Sequence, residues 1–122
     1  MAEKILNAKI ESVSLCFAND ILTFYLGLKI QGGAGCCFGG YALDEYDESE
    51  RRRLPISLGL ECLEHIMTTV GVKSWEELKD KYIRVVSRGL GESIEEIGNI
   101  MEDKWFNIEE FFHKAKSDIP FS

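Results

Sequence analysis

The sequence predicts an α+β domain, an antiparallel sheet of about five strands with two main helices packed against it. Residues 21–30 (ILTFYLGLKI) alternate between apolar and other side chains, which is typical of a strand with one buried face. Residues 55–72 carry apolar side chains three and four positions apart, which is the spacing of a helix face. Because the chain has 122 residues, 45% of them hydrophobic, we expect one folded domain over residues 1–122.

The first three strands are predicted from the N-terminal third of the chain. Residues 8–17 (AKIESVSLCF) are rich enough in β-branched side chains to pair with residues 21–30 in a hairpin. Turn-forming residues at 18–20 join the two arms. Residues 36–43 (CCFGGYAL) predict a third strand that an interior pair of glycines interrupts. Such a pair marks a bulge or a close approach of the backbone to another group.

The middle of the chain predicts a polar loop followed by helices. Residues 44–53 (DEYDESERRR) form the loop. The helix over residues 55–72 ends at Gly71, and Gly59 within it permits close packing at some cost in helix stability. A serine followed three residues later by glutamate predicts a short helix over residues 74–81.

The C-terminal third predicts a second hairpin and a last helix. Residues 82–88 (YIRVVSR) form the first arm, and a glycine-rich turn follows. Residues 94–101 fit either a bulged strand or a helix, because their isoleucines lie three positions apart. A capping box at Asn107 opens the last helix, whose apolar side chains share one face over residues 108–115.

The acidic balance of the chain limits its partners. A formal charge of −7 argues against DNA, because such binding depends on neutralised phosphates, yet it permits a small anionic ligand. No apolar run reaches the roughly 18 residues of a membrane span, and the N-terminal sequence lacks a secretory signal. We therefore expect the four cysteines to be reduced thiols in a cytoplasm.

We expect no metal site, no catalytic residue and no cofactor. Cys62 and His65 lie three positions apart on the predicted helix. Cys36 and Cys37 could not both complete a zinc site there, because adjacent strand residues point to opposite faces. The chain also lacks any motif that joins a nucleophile to a histidine base.

Three features are candidates for ligand binding. The glycine segment 31–40 lacks the ending of a phosphate-binding loop, so it is either turn chemistry or a backbone concavity for an anion. Arg84 interrupts an apolar strand and either reaches outward or binds an anion. Asn99 is a similar polar intrusion that could read the donors and acceptors of a base or ribose. The residues alone indicate a small α+β binding module.

Three motifs taken together resemble a known family. They are FGGYALD (38–44), GVKSWEELKDKYIRV (71–85) and IGNIMEDKWF (97–106). In this order and spacing, over residues from about 20 to 108, the chain resembles the first Thoeris anti-defence family. Members of that family are phage and prophage sponges that sequester cyclic ADP-ribose isomers made by host TIR-domain enzymes.

The resemblance implies a non-catalytic homo-oligomer built from dimers, with recessed nucleotide pockets near the dimer interface. Some members also hold cyclic trinucleotides at a separate site. The protein would act in the cytoplasm of the host bacterium, where removal of the signal keeps the defence effector inactive. The residues that the resemblance places at or beside the ligand are Gly35, Phe38, Gly39, Gly40, Arg84 as the phosphate partner and Asn99 as the polar reader.

Two other functions stay open at this point. An acidic interaction protein could inhibit a host enzyme by direct contact, with the carboxylates of residues 44–50 imitating nucleic acid. A hydrolase could instead act on the same nucleotide, and turnover would distinguish it from a sponge.

Overall fold

The computed structural model describes residues 3–89 and 93–117, and it confirms the α+β class. A six-stranded sheet, one strand larger than expected, is accompanied by a second sheet of two strands. The elements are β1 (Lys4–Ala18), β2 (Ile21–Ile30), β3 (Gly35–Gly39), β4 (Asp44–Asp47), β5 (Arg52–Pro55), α1 (Ser57–Val70), a 3-10 turn (Glu76–Leu78), β6 (Tyr82–Ser87), β7 (Glu96–Asn99), β8 (Trp105–Asn107) and α2 (Ile108–Ser117).

The large sheet has the strand order β3-β2-β1-β6-β7-β8, and every neighbouring pair is antiparallel. Its longest strand, β1, pairs with β2 over Ala8–Ala18 and with β6 over Lys4–Lys9. The register between β1 and β2 shifts at Glu11, since Ile10 lies opposite Leu28 and Ser12 lies opposite Gly27. Glu11 is therefore the extra residue of a β-bulge.

Three parts of the chain differ from the sequence-based expectation. The third strand ends at Gly39 instead of continuing to residue 43, because Gly39 and Gly40 have φ angles of 117° and 88° that turn the backbone away. The expected polar loop contains the hairpin of β4 and β5. The short helix expected over residues 74–81 is reduced to the 3-10 turn.

The open question about the second hairpin is answered in favour of a strand. Residues 96–99 form β7, which pairs with both β6 and β8. Most of the glycine-rich turn before it lies outside the described residues.

The two faces of the large sheet differ in burial. On β6, Ile83 and Val85 are buried on the side that we call the core face, whereas Tyr82 and Arg84 lie on the opposite side, the outer face. The helix α1 contacts β7 and β8, and its Ile66 is fully buried in the same core. Amphipathic alternation in the strands thus leaves one face for packing and one for solvent.

Close packing at Gly59 confirms the expectation for that position. A Cβ atom there would lie 2.7 Å from the carbonyl oxygen of Leu43, so α1 approaches the backbone of the segment after β3. Cys62 is fully buried in the next turn of α1, and burial raises the pKa of its thiol to about 12. Among the described residues, no helix is both long and apolar enough to cross a membrane.

Candidate functional site

The residues expected at the ligand lie on both faces of the large sheet. Gly35 pairs with Lys29 on the outer face, and Arg84 lies on the same face of β6. Phe38 and Asn99 belong to the core face, where Phe38 is fully buried against Phe24 with ring centroids 6.1 Å apart. The sheet therefore separates the expected residues into two groups on opposite faces.

Asn99 connects α1 to the turn that follows β7. Its Nδ2 atom donates hydrogen bonds to the carbonyl oxygens of Thr69 at 3.0 Å and Val70 at 3.1 Å. Its Oδ1 atom accepts hydrogen bonds from the backbone N–H groups of Met101 at 2.8 Å and Glu102 at 2.9 Å. The side chain is 7% exposed, and these bonds use both of its amide donors. In this structure Asn99 caps the C-terminal end of α1.

Arg84 holds the same turn from the outer face. Its Nε donates to the carbonyl oxygen of Asn99 and its Nη2 to that of Glu102, both at 2.8 Å. The guanidinium carbon lies 4.6 Å from the ring centroid of Trp105, within the range of a cation–π interaction. Because a guanidinium carries more N–H donors than these two bonds use, Arg84 can also bind an anion.

The glycine pair at the end of β3 permits a close approach within the chain itself. A Cβ atom at Gly39 would lie 2.6 Å from the carbonyl oxygen of Phe24. The backbone N–H of Gly40 donates to that same oxygen at 2.7 Å. A Cβ atom at Gly40 would lie 3.2 Å from the ring of Tyr25. The backbone that these glycines approach is therefore that of β2, and contact with a ligand stays a prediction.

The outer face carries two adjacent rows of cross-strand neighbours. Strand register aligns Gly35, Lys29, Lys9 and Tyr82 in one row, and Asn7, Arg84, Gly98 and Trp105 in the next. We call the five cationic and aromatic members the outer-face site; they are Lys9, Lys29, Tyr82, Arg84 and Trp105. Neighbouring strands lie roughly 4.8 Å apart, so Lys29, Lys9 and Tyr82 on three consecutive strands lie within reach of one ligand. Trp105 lies two strands beyond Tyr82 and contacts Arg84 instead.

Two lysines stand directly opposite each other in the first row. Lys9 and Lys29 are cross-strand partners, and like charges in that position destabilise a strand pair. Lys9 has a partial counter-ion, because its Nζ lies 3.8 Å from a carboxylate oxygen of Asp80. Lys29 has no ion pair with any carboxylate of the described residues. An anion bound between the two ammonium groups would relieve their repulsion.

A groove of about 390 Å³ runs beside this row. Residues along it include Asn7, Lys9, Lys29, Gln31, Gly32, Gly33, Tyr82 and one carboxylate, that of Glu11. The Oε1 atom of Gln31 accepts a hydrogen bond from the backbone N–H of Asn7 at 2.6 Å, which fixes the start of the glycine loop on β1. Tyr82 is 60% exposed, and the Nζ of Lys9 lies 6.0 Å from its ring centroid.

Sequence reasoning missed Lys9, Lys29, Tyr82 and Trp105 as candidate ligand contacts. The alternation of residues 21–30 already assigned Lys29 to the polar face of its strand. Its juxtaposition with Lys9 depends on the register of the hairpin, which the sequence pattern leaves undefined. Among the described residues, no group of three or more histidine, cysteine, aspartate or glutamate side chains is arranged to hold a metal ion.

Comparison with known proteins adds no relative, since no family model, no curated protein and no solved structure matches the chain.

Proposed function

We propose that the protein is a non-catalytic sponge that sequesters a cyclic ADP-ribose-type nucleotide and thereby blocks Thoeris anti-phage defence. It would act in the cytoplasm of the host bacterium, where TIR-domain enzymes make the signal. The observation that supports this proposal is the outer-face site, where two opposed lysines and an arginine lie beside two aromatic rings.

The chemistry of the outer-face site matches the parts of such a ligand. A cyclic ADP-ribose isomer has a flat base, two phosphates and two riboses. The ring of Tyr82 offers a platform on which a base can stack. The ammonium groups of Lys9 and Lys29 and the remaining N–H donors of Arg84 are suited to phosphate oxygens.

The groove has a volume appropriate to a ligand of this size. Its value of about 390 Å³ falls within the roughly 300–1,000 Å³ that is usual for small-molecule sites. A sponge must bind below the concentration at which the signal acts. Nanomolar affinity corresponds to roughly −12 kcal/mol, which requires several charge-assisted contacts at once.

The decisive experiment is recovery of bound nucleotide. The protein is incubated with the products of a TIR-domain enzyme, washed and heat-denatured, and the released compound is identified by mass. We expect an intact cyclic nucleotide in stoichiometric amount. Progressive disappearance of excess nucleotide would instead identify a hydrolase and refute the sponge.

A matched pair of variants locates the site. Lys29→Gln removes one of the opposed charges and should weaken nucleotide binding about tenfold. Lys73→Gln, at an exposed position between α1 and the 3-10 turn, should leave the affinity unchanged. Equal affinity of both variants would remove the outer-face site from the proposal, while the recovery experiment would still test sequestration itself.

The proposal includes a homo-oligomer built from dimers. Beyond Lys9, β1 has no strand partner on the side opposite β2 among the described residues. This part of β1 exposes Leu15 and Phe17, the latter by 72%, and such an apolar edge favours association. The protein should elute from a sizing column well above 13.8 kDa with or without reductant. A monomer at micromolar concentration would contradict the dimer.

Direct inhibition of a host enzyme is a second candidate, and the hairpin of β4 and β5 favours it. That hairpin exposes Glu45, Glu48 and Glu50, and it has little contact with the large sheet. If the carboxylates bind the enzyme, Glu48→Gln with Glu50→Gln should abolish inhibition. A sponge should tolerate both changes.

A further inference from the structure

A second cavity, of about 450 Å³, lies between α2, the start of α1 and the segment that follows β3. None of the residues of the outer-face site lines it. The proposed function therefore makes no use of this cavity.

Aromatic and aliphatic side chains form one side of the cavity. The rings of Tyr41 and Phe112 are stacked, with centroids 5.2 Å apart and planes inclined by 7°. The hydroxyl of Tyr41 donates to a carboxylate oxygen of Glu95 at 2.8 Å, which fixes the ring. Ile56 and Leu58 also line the cavity and are half-buried. This side of the cavity can bury the hydrocarbon part of a ligand.

The cation in the lining, Arg53, is already neutralised. Its Nε and Nη2 atoms each lie 2.9 Å from Oδ1 of Asp44, and Nη2 also donates to the carbonyl oxygen of Asp44 at 3.0 Å. The other carboxylate oxygen of Asp44 accepts the backbone N–H of Leu22 at 3.0 Å. Arg53 and Asp44 therefore act together as a neutral unit.

Two further carboxylates line the cavity. Glu45 and Glu109 line it, and neither forms an ion pair with a cation of the described residues. Burial, the hydrogen bond to Glu95 and the negative charges of Glu95 and Glu109 all raise the pKa of Tyr41. The charge of Glu109 therefore acts on the aromatic pair. The lining thus combines apolar side chains with carboxylates, and it also includes His113.

We propose that this cavity binds an alkylguanidinium group, the chemistry shared by an arginine side chain and a free guanidino amine. A guanidinium is planar and weakly hydrated, and it stacks on aromatic rings. Its N–H donors match carboxylates such as those of Glu45 and Glu109. The attached alkyl chain would lie against Ile56 and Leu58.

The test titrates the full chain with agmatine by calorimetry, beside butylurea as a neutral ligand of similar shape. We expect saturable binding of agmatine and much weaker binding of butylurea. A peptide with one central arginine is titrated in parallel. Tighter binding of the peptide identifies an arginine of a partner protein as the ligand, and equal or tighter binding of agmatine identifies a free small molecule. Absence of saturable binding of both cationic probes at about 10 mM, or equal binding of butylurea, overturns the proposal.

Paired variants place the binding in this cavity. Glu45→Gln with Glu109→Gln should weaken agmatine binding about tenfold or more. The control, Glu48→Gln with Glu110→Gln, removes the same number of charges from the same hairpin and helix. It should change the affinity for agmatine less than about twofold. Both pairs alter exposed side chains, and thermal melts verify that both are folded. Equal weakening by the two pairs would show a general charge effect and refute the site.

Discussion

Replacement of Arg84 tests how one side chain divides its role between the fold and the ligand. Arg84→Ala removes two bonds to backbone carbonyls, each 2.8 Å long, and the contact with Trp105. Bonds from a charged donor contribute roughly 1.5–3 kcal/mol when buried, but the bond to Glu102 lies at an exposed position. The exposed bond therefore contributes less than the buried one, and the cation–π contact adds about 0.5 kcal/mol. Together we expect a loss of about 2 kcal/mol in the free energy of unfolding.

The companion variant Arg84→Lys separates the two roles. Lysine keeps the positive charge but cannot reproduce the forked donation to Asn99 and Glu102. Arg84→Lys should therefore lose most of the stability that Arg84→Ala loses, while it retains more of the nucleotide affinity. Urea unfolding measures the first quantity and calorimetric titration with the recovered nucleotide measures the second.

The affinity of Arg84→Ala should fall about 10- to 150-fold if its remaining donors bind a phosphate. A folded Arg84→Ala protein with unchanged affinity would exclude Arg84 from the site. An unfolding free energy within about 0.5 kcal/mol of the parent would refute the structural role assigned to its hydrogen bonds.

Three further predictions follow from buried contacts. Asn99→Ala should lower the free energy of unfolding by about 3 kcal/mol in urea titrations, because it leaves backbone groups at both ends of its bridge without partners; a loss under about 1 kcal/mol would contradict this. Gly39→Ala should lower the free energy of unfolding by about 1–3 kcal/mol, since the φ of 117° at Gly39 and the nearby Phe24 carbonyl disfavour a Cβ atom. An unchanged melting temperature would disprove this strain. Burial alone would raise the pKa of Asp44, but hydrogen bonds from Arg53 and from the backbone N–H of Leu22 lower it below its usual value. The ionised carboxylate therefore stabilises the fold above a pH of about 4, and this contribution is lost as the pH falls through the lowered pKa. Acid titration of Asp44→Asn should consequently show a shallower loss of stability than the parent, and parallel curves would rule out the contribution.

The parts of the fold that follow from local pattern were predicted well. The alternation of residues 21–30 defined β2 to the residue, and the apolar spacing of residues 55–72 located α1 within a few positions. The hairpin of β4 and β5 was missed because its charged residues lack alternation. Tertiary contacts define it instead, above all the ion pair between Asp44 and Arg53.

The candidate site was less predictable because it depends on pairing. Arg84 was recognisable as a charge within an apolar strand; in the structure it lies on the outer face and binds the carbonyl oxygens of Asn99 and Glu102, and its contact with a ligand stays a prediction. Lys9 and Lys29 meet only because the hairpin adopts its particular register. Periodicity assigns a residue to a face but carries no information about its neighbour on the next strand.

The bulge at Glu11 gives β1 an internal position at which its length can change without disturbing the outer-face site. Before it, the odd-numbered residues Asn7 and Lys9 face outward, and after it the even-numbered Ser12 and Ser14 do so. Deletion of Glu11 would make Ile10 and Ser12 consecutive opposite Leu28 and Gly27, so the bulge would disappear while the other side chains of β1 keep their faces. Deletion of a residue in a regular part of β1 would instead reverse the faces of one half unless the bulge is lost at the same time. Variation in the length of β1 should therefore be tolerated at Glu11 as well as at the ends of the strand.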